Sequence, residues 1–362
     1  MLKRMACVVS ALIVGGTVLA GGEAQAQTLS AVEKFYADIY ALPAAERQKR
    51  LEDAAKKEST VVLLSTTQGQ RGLTHLRMFN TKYPYVKVER GELSSPQSVE
   101  RLIAEETANR HLSDGTSAGI PDMGTIINEL PLIARYPTPA TARVLPQFRS
   151  LLDPQNRWLP WFTGEHGISY NTNLVKAADA PKAWTDLCNA KFKGQHSYDP
   201  SENVFLSGLY TMLGEDGMKK LLECIGKNDP LIQSGHTARM TLMLAGEHMV
   251  QGDGFLFYGT QLYQKNPDKT PFKVAYEAPV MINAEGFLIN KNAPNPAGVA
   301  LFADYLLDDE TQKFIHSEFR GVMTLPHPFF PDNVQLVSVG LLDKPVRDRL
   351  RGYWDEYVGK KR

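Results

Sequence analysis

The chain has 362 residues, with 40 basic and 40 acidic side chains and a hydrophobic content of 43%. Charge balance without a basic stripe argues against a nucleic-acid binder, and this apolar content is that of a folded globular protein rather than a disordered one. The length allows about two domains.

Lys3 and Arg4 precede an apolar run at residues 7–20, and Ala24-Gln25-Ala26 supplies small residues at the positions a signal peptidase reads. This pattern predicts a secretory leader over 1–26, cleaved before Gln27. The run is too short to serve as a stable membrane anchor. The expectation is therefore an exported, soluble product.

After the leader, Val32, Phe35, Tyr36, Ile39 and Tyr40 recur at helical spacing until Pro43, and a second helix is predicted over 45–57. Val61-Val62-Leu63-Leu64 reads as a buried parallel strand. It ends in the polar turn Ser65-Thr66-Thr67-Gln68-Gly69-Gln70, and a helix through Leu73, Leu76 and Phe79 comes next. A strand end, a hydroxyl-rich turn and a helix N-terminus form a polar cradle, because free backbone N–H groups face outward there. Thr66 and Thr67 are its candidate ligand-binding residues, although helix capping alone would also account for a Thr at that place. An alternating strand is predicted over 85–89, a capped helix over 98–109, and a third strand over 122–127 with Asn128 and Glu129 at its end.

Glu165-His166-Gly167-Ile168-Ser169-Tyr170-Asn171-Thr172-Asn173 is a short strand-like run ringed by Gly and Asn, and α/β patterning stands on both sides of it. It is a candidate hinge crossing. Beyond it the arrangement recurs: a strand over 195–198 ends in Asp199-Pro200-Ser201-Glu202-Asn203, Ser234-Gly235-His236 precedes a helix over 237–245, and Gly252-Asp253-Gly254 follows a short strand. Residues 281–289 read as a return strand, 295–307 and 309–319 as amphipathic helices, and 341–357 as a helical tail. Cys188 and Cys224 are the two cysteines beyond the leader. A disulfide between them is the expectation in an oxidising compartment, with two separate buried thiols as the alternative.

The sequence carries no G-x-S-x-G, no phosphate-binding G-x-x-x-x-G-K-[ST] and no H-E-x-x-H, since Glu247-His248 lacks the second His. The eight histidines are dispersed. A non-catalytic protein without a cofactor is expected, with a secreted two-domain enzyme as the reading outside that class.

Several segments together resemble the extracellular solute-binding proteins of ABC importers, in particular the group that includes ferric-ion-binding periplasmic proteins. They are Ala54-Ala55-Lys56-Lys57-Glu58 before the first strand, FNTKYPYVKV at 79–88, YNTNL at 170–174, Trp184-Thr185-Asp186-Leu187, Phe192-Lys193-Gly194 with Asp199-Pro200, Ala245-Gly246-Glu247, and NAPNPAGVALFADYLLDDETQ at 292–312. They occur in the family's order and span most of the chain. The resemblance implies a two-lobed α/β fold, the type 2 periplasmic binding protein, each lobe a mostly parallel sheet flanked by helices. Lobe 1 would comprise 27–165 plus 285–330 and lobe 2 would comprise 170–282 plus 331–362, with hinge crossings near 165–173 and 282–288. It also implies a periplasmic monomer that closes on a small ligand and presents it to an inner-membrane ABC permease.

In the iron-binding members two adjacent tyrosines hold the metal; here those positions fall on Phe255-Leu256, with Tyr258 nearby. Phe and Leu offer no oxygen to a hard cation. The family's anion-binding frame falls on Ser201, His236, Thr237 and Asp253, with Glu202 and Asn203 following Ser201. With Thr66, Thr67, Asn128 and Glu129 these would line a polar cleft. Helix N-termini there favour a carboxylate or phosphate, while Glu129, Glu202, Asp253 and Glu285 favour an amine or a polyhydroxylated ligand. The expected function is capture of a small polar organic solute, with a ferric or other metal carrier as the alternative of the same fold.

Overall fold

The computed structural model describes residues 29–359 except 59, 68, 201, 202 and 332. The leader at 1–26, Ser201 and Glu202 lie outside the described residues. The chain lays down strands β1 (Thr60–Ser65), β2 (Lys87–Glu92), β3 (Gly115–Gly119) and β4 (Leu159–His166) in one sheet. It then builds a second sheet from β5 (Ser169–Asn171), β6 (His196–Tyr198), β7 (Leu231–Ile232), β8 (Val250–Gln251) and β9 (Phe272–Val274). Finally β10 (Val280–Ile289) and β11 (Leu336–Ser338) return to the first sheet.

The first sheet runs in the order β11-β10-β3-β1-β2, with β4 paired to β10. β1 is parallel to β2 and β3, while β10 is antiparallel to β3 and β4. The second sheet runs β7-β6-β8-β5-β9, with β6 parallel to β7 and β8 and β5 antiparallel to β8 and β9. The apolar run Val61-Val62-Leu63-Leu64 of β1 suits an interior parallel strand whose two faces are both covered.

The helices start where their caps dictate. Ser30 and Glu33 form a reciprocal capping box at Ala31–Tyr40, with bonds of 3.1 and 2.9 Å. Ser94 and Gln97 do the same at Ser95–Thr107, three residues before the helix start expected from sequence. Helix Gly69–Lys82 buries Gly72, His75 and Phe79, which turns Leu73 outward to 50% exposure, away from the expected apolar stripe.

The third strand differs from expectation. Residues 122–127 form 3-10 and π-helical turns, and the strand is Gly115-Thr116-Ser117-Ala118-Gly119. Small residues fill this place because the neighbours supply the bulk: a Cβ on Gly115 would stand 2.5 Å from the Phe287 ring and 3.0 Å from Val299 Cγ2.

Two main hydrophobic cores follow the two sheets. One gathers Val61, Phe79, Leu288, Val299 and Phe302; the other gathers Ile168, Trp184, Phe205, Leu222 and Trp354. Between β4 and β5 only Gly167 and Ile168 intervene, where Gly167 N donates to Gly254 O at 3.3 Å and Ala275 N donates to Ile168 O at 2.9 Å. Residues 275–279 carry the chain back, and the side chains of β10 divide there: Met281 joins the second core and Ile282 the first. The tail leaves β11, and helix Lys344–Trp354 places Trp354 in the second core. Cys188 and Cys224 are joined within that second unit, their Cα atoms 5.6 Å apart.

Candidate functional site

A cavity of about 310 Å³ opens where the two sheets face each other. From the first sheet come Thr66 and Thr67 at the end of β1, Arg71 in the first turn of Gly69–Lys82, Phe162 and Gly164 on β4, Asn283 and Glu285 on β10, and Arg320 beyond helix Asp309–Ser317. From the second side come Phe255 and Phe257, which follow β8 and open helix Leu256–Lys265.

The polar lining is only partly satisfied. Thr66 Oγ1 donates to Glu285 Oε1. Thr67 Oγ1, Asn283 Oδ1 and Arg320 Nε are buried without a hydrogen-bond partner. Arg71 pairs with Glu318, Nε to Oε2 at 2.5 Å. Arg320 is 9% exposed and has no salt-bridge partner among the described residues. Its guanidinium carbon lies 4.2 Å from the Phe162 ring centroid and 4.5 Å from that of Phe257.

The electrostatics follow from burial. Arg320 is pushed down to about 10, first by desolvation and then by the charge of Arg71, against the pull of Glu165, Glu285 and Glu318. Desolvation holds Glu285 up at about 7, against the opposing pull of the Thr66 hydrogen bond and of Arg320. His75, one turn beyond Arg71, is pushed down to about 4 by burial and by the nearby Arg71, Arg320 and Arg90, so its imidazole is neutral at pH 7. The cavity thus combines two guanidinium groups, neutral donors and acceptors, and one carboxyl group poised between its charge states.

Behind Phe255 lies a buried polar group formed by His166 at the end of β4 and residues on the side of the second sheet. The Phe255 ring packs on His166 at 4.2 Å and on His236 at 4.6 Å. His166 Nδ1 is 3.1 Å from Asp253 Oδ1, and Arg239 Nη1 donates to the carbonyls of Ser197 and Asp253 at 3.3 and 2.5 Å. Gly164 makes room for the ring: a Cβ there would stand 2.6 Å from Phe255 Cε1.

Of the residues expected from sequence, Thr66, Thr67 and Glu285 line this cavity. His236 and Asp253 do not line it and belong to the group behind Phe255. Asn203 holds Asp122 through Nδ2 at 3.0 Å and accepts from Arg351 Nη2 at 2.8 Å. Asn128 lines a separate cavity with Arg135, Arg157 and Lys291, and donates to Asp343 at 2.6 Å. Glu129 accepts from the Lys344 amide at 3.1 Å. Thr237 is exposed, and Tyr258 packs against Met240, Met243 and Phe272. Sequence reading missed Arg71, Arg320, Phe162, Phe257 and Asn283 as lining residues. Only Arg71, four residues past the Thr pair, carried a local signal.

The profile of the bacterial extracellular solute-binding proteins matches residues 127–334. No curated protein sequence gives a significant match. Among solved structures, the periplasmic binding protein AfuA from Actinobacillus pleuropneumoniae, with fructose-6-phosphate bound, is similar at TM-score 0.69 and 20% identity, over 84% of this chain and 99% of that one. The periplasmic binding protein P5PA is similar at TM-score 0.68 and 21% identity, over 83% of this chain and 100% of that one. Iron-bound HitA from Pseudomonas aeruginosa is similar at TM-score 0.62 and 18% identity, over 82% of this chain and 96% of that one. At such identities the likeness concerns the fold, which is that of the type 2 periplasmic binding proteins. A profile match over more than half of the chain, on a framework of two sheets with a cavity between them, shows that the protein belongs to the bacterial extracellular solute-binding family.

Proposed function

We propose that the protein is the periplasmic solute-binding component of an ABC importer and that it captures a small organic anion, carboxylate- or phosphate-bearing, by closure of two lobes. The lobes correspond to the two sheets and their cores. The stretches at 165–173, at the start of β10 and after β11 act as connections that absorb the motion. The closed form is what the permease reads.

The observation that carries this reading is Arg320. A buried guanidinium without a carboxylate partner is costly, and it lines the cavity beside Arg71. An anion placed there makes charge-assisted hydrogen bonds worth roughly 1.5–3 kcal/mol each. A few of these, with apolar contact to Phe162, Phe255 and Phe257, reach the roughly 8 kcal/mol of a micromolar site. The same donor set disfavours a metal cargo: HitA is iron-bound, but here Glu285 is the one carboxyl group of the lining, beside Arg320 and an Arg71 already paired with Glu318. A hard cation needs several oxygen ligands. AfuA, with bound fructose-6-phosphate, has a ligand of the chemical kind this lining suits.

Native mass spectrometry of protein isolated from its own periplasm tests the proposal. The expected adduct is an organic acid or phosphate ester that is released on denaturation unchanged and in equal stoichiometry. A neutral ligand, a bare metal adduct or a chemically converted molecule would overturn it.

A further inference from the structure

Arg320 belongs to the first sheet. Residues Phe162 and Val322 form an isolated antiparallel bridge, and Gly321 O accepts from Thr163 N at 2.9 Å. Its guanidinium nevertheless reaches both sides of the cavity. Its guanidinium carbon lies 4.2 Å from the ring centroid of Phe162 on β4 and 4.5 Å from that of Phe257. Phe257 opens a helix tied to the second sheet, where Tyr258 packs with Met240, Met243 and Phe272, and a Cβ on Gly259 would stand 2.2 Å from the Phe272 ring. The adjoining turn makes a parallel connection: Glu318 holds Arg71 through its carboxylate, and its carbonyl accepts from Gln261 on that same helix.

A guanidinium packed against two rings can still offer N–H groups for bidentate hydrogen bonding to a carboxylate or phosphate. When the sheets part, Phe257 leaves with the second one, and Arg320 loses one of its two supporting rings. We propose that Phe257 is a positioning residue which clamps Arg320 from the opposite lobe, so that the anion site is complete only when the lobes meet. Anion capture and closure are then a single event: the ligand binds the closed state better because only that state holds the guanidinium in place. The inference rests on the reading of the cavity as an anion site, but the clamp has a readout of its own.

The test pairs two measurements on the full-length exported protein. Spin labels at Glu100→Cys and Lys220→Cys, both exposed and one on each side of the cavity, report the separation of the lobes without ligand. Titration calorimetry with inorganic phosphate and with citrate reports the anion site. Phe257→Leu, which keeps bulk without a ring, is expected to shift the ligand-free distribution to longer separations and to weaken the anion that binds wild type by about tenfold. Phe257→Trp is expected to restore both. In an Arg320→Met background, Phe257→Leu is expected to change neither, because the cation it serves is gone. An unchanged ligand-free distribution in Phe257→Leu overturns the clamp, and so does an equal shift in the Arg320→Met background, which would mark Phe257 as ordinary packing. Failure of wild type to bind either probe overturns the anion reading instead, and the ligand-free distances still decide the clamp.

Discussion

The hydroxyl of Thr66 donates to the carboxyl group of Glu285, tying the end of β1 to the middle of β10 at the wall of the cavity. Burial raises Glu285 from an ordinary 4.5 to about 7, so folding takes up a proton at this site. The stability linked to it is full below about pH 4.5 and declines as pH rises through about 7, by at most roughly 3 kcal/mol. Arg320 and the Thr66 hydrogen bond oppose the shift, and Asp122 adds to it. Urea titrations across pH 4.5–8 are expected to show this decline in wild type and a flatter profile in Glu285→Gln. Affinity for an anionic ligand is expected to fall over the same range, and comparing the two proteins cancels the ligand's own titration.

Arg320 sets function against stability. Arg320→Met keeps the unbranched length between Phe162 and Phe257 and removes a buried charge that has no carboxylate partner among the described residues. Removing a buried charge without a salt-bridge partner removes its desolvation cost, which offsets the lost attraction to Glu165, Glu285 and Glu318. Ligand-free Arg320→Met is therefore expected to melt at or above the wild-type temperature, with anion binding reduced at least about tenfold. Calorimetric melting with binding titration on one preparation checks both halves. A large loss of stability would show that the guanidinium supports the fold rather than the ligand.

What could be read in the sequence follows the range of the interactions. β1 announces itself through Val61-Val62-Leu63-Leu64, and the hydroxyl turn after it places Thr66 and Thr67 at the cavity, because both facts are local. β3 is silent: Gly115-Thr116-Ser117-Ala118-Gly119 has no large apolar residue, and its burial is decided by Phe287 and Val299 far along the chain. The same holds for the cations. Arg71 meets Glu318, and Arg320 meets Phe162 and Phe257, through folding that no window of sequence spans. Asp253 and His236 carry polar side chains at strand-end and helix-start positions, as sequence reading recognised. The Phe255 ring packs on His166 and His236 from the cavity side, a tertiary fact.

Cys188 closes a short 3-10 turn and Cys224 lies in helix Asn203–Lys227, 36 positions further along the sequence. The chain-entropy relation gives about 3–4 kcal/mol for a loop of this size. Both cysteines pack against the second core, beside Leu187, Leu222 and Ile225. Cys188→Ala with Cys224→Ala is expected to lower stability by that amount in urea titration. Hydrogen exchange should show the loss concentrated in residues 184–227, with β1 to β4 little affected.

Gly164 is the residue whose side chain the cavity has no room for. It sits on β4 opposite Asn283 in the register with β10, and a Cβ there would stand 2.6 Å from Phe255 Cε1. Phe255 in turn leans on His166 and His236, so its ring cannot retreat toward the second sheet without compressing a buried polar group. It is left to swing into the cavity, where it takes space from the ligand, or to push the two sheets apart. Overpacking of this kind costs typically about 1–3 kcal/mol. Gly164→Ala is therefore expected to bind ligand about tenfold or more weakly while stability falls within that range. Phe255→Ala in the same chain is expected to relieve the clash, at the expense of the ring's own packing on His166 and His236. A crystal structure of Gly164→Ala checks the direction of movement: a ring in its original place, with binding unchanged, would show that β4 yields instead.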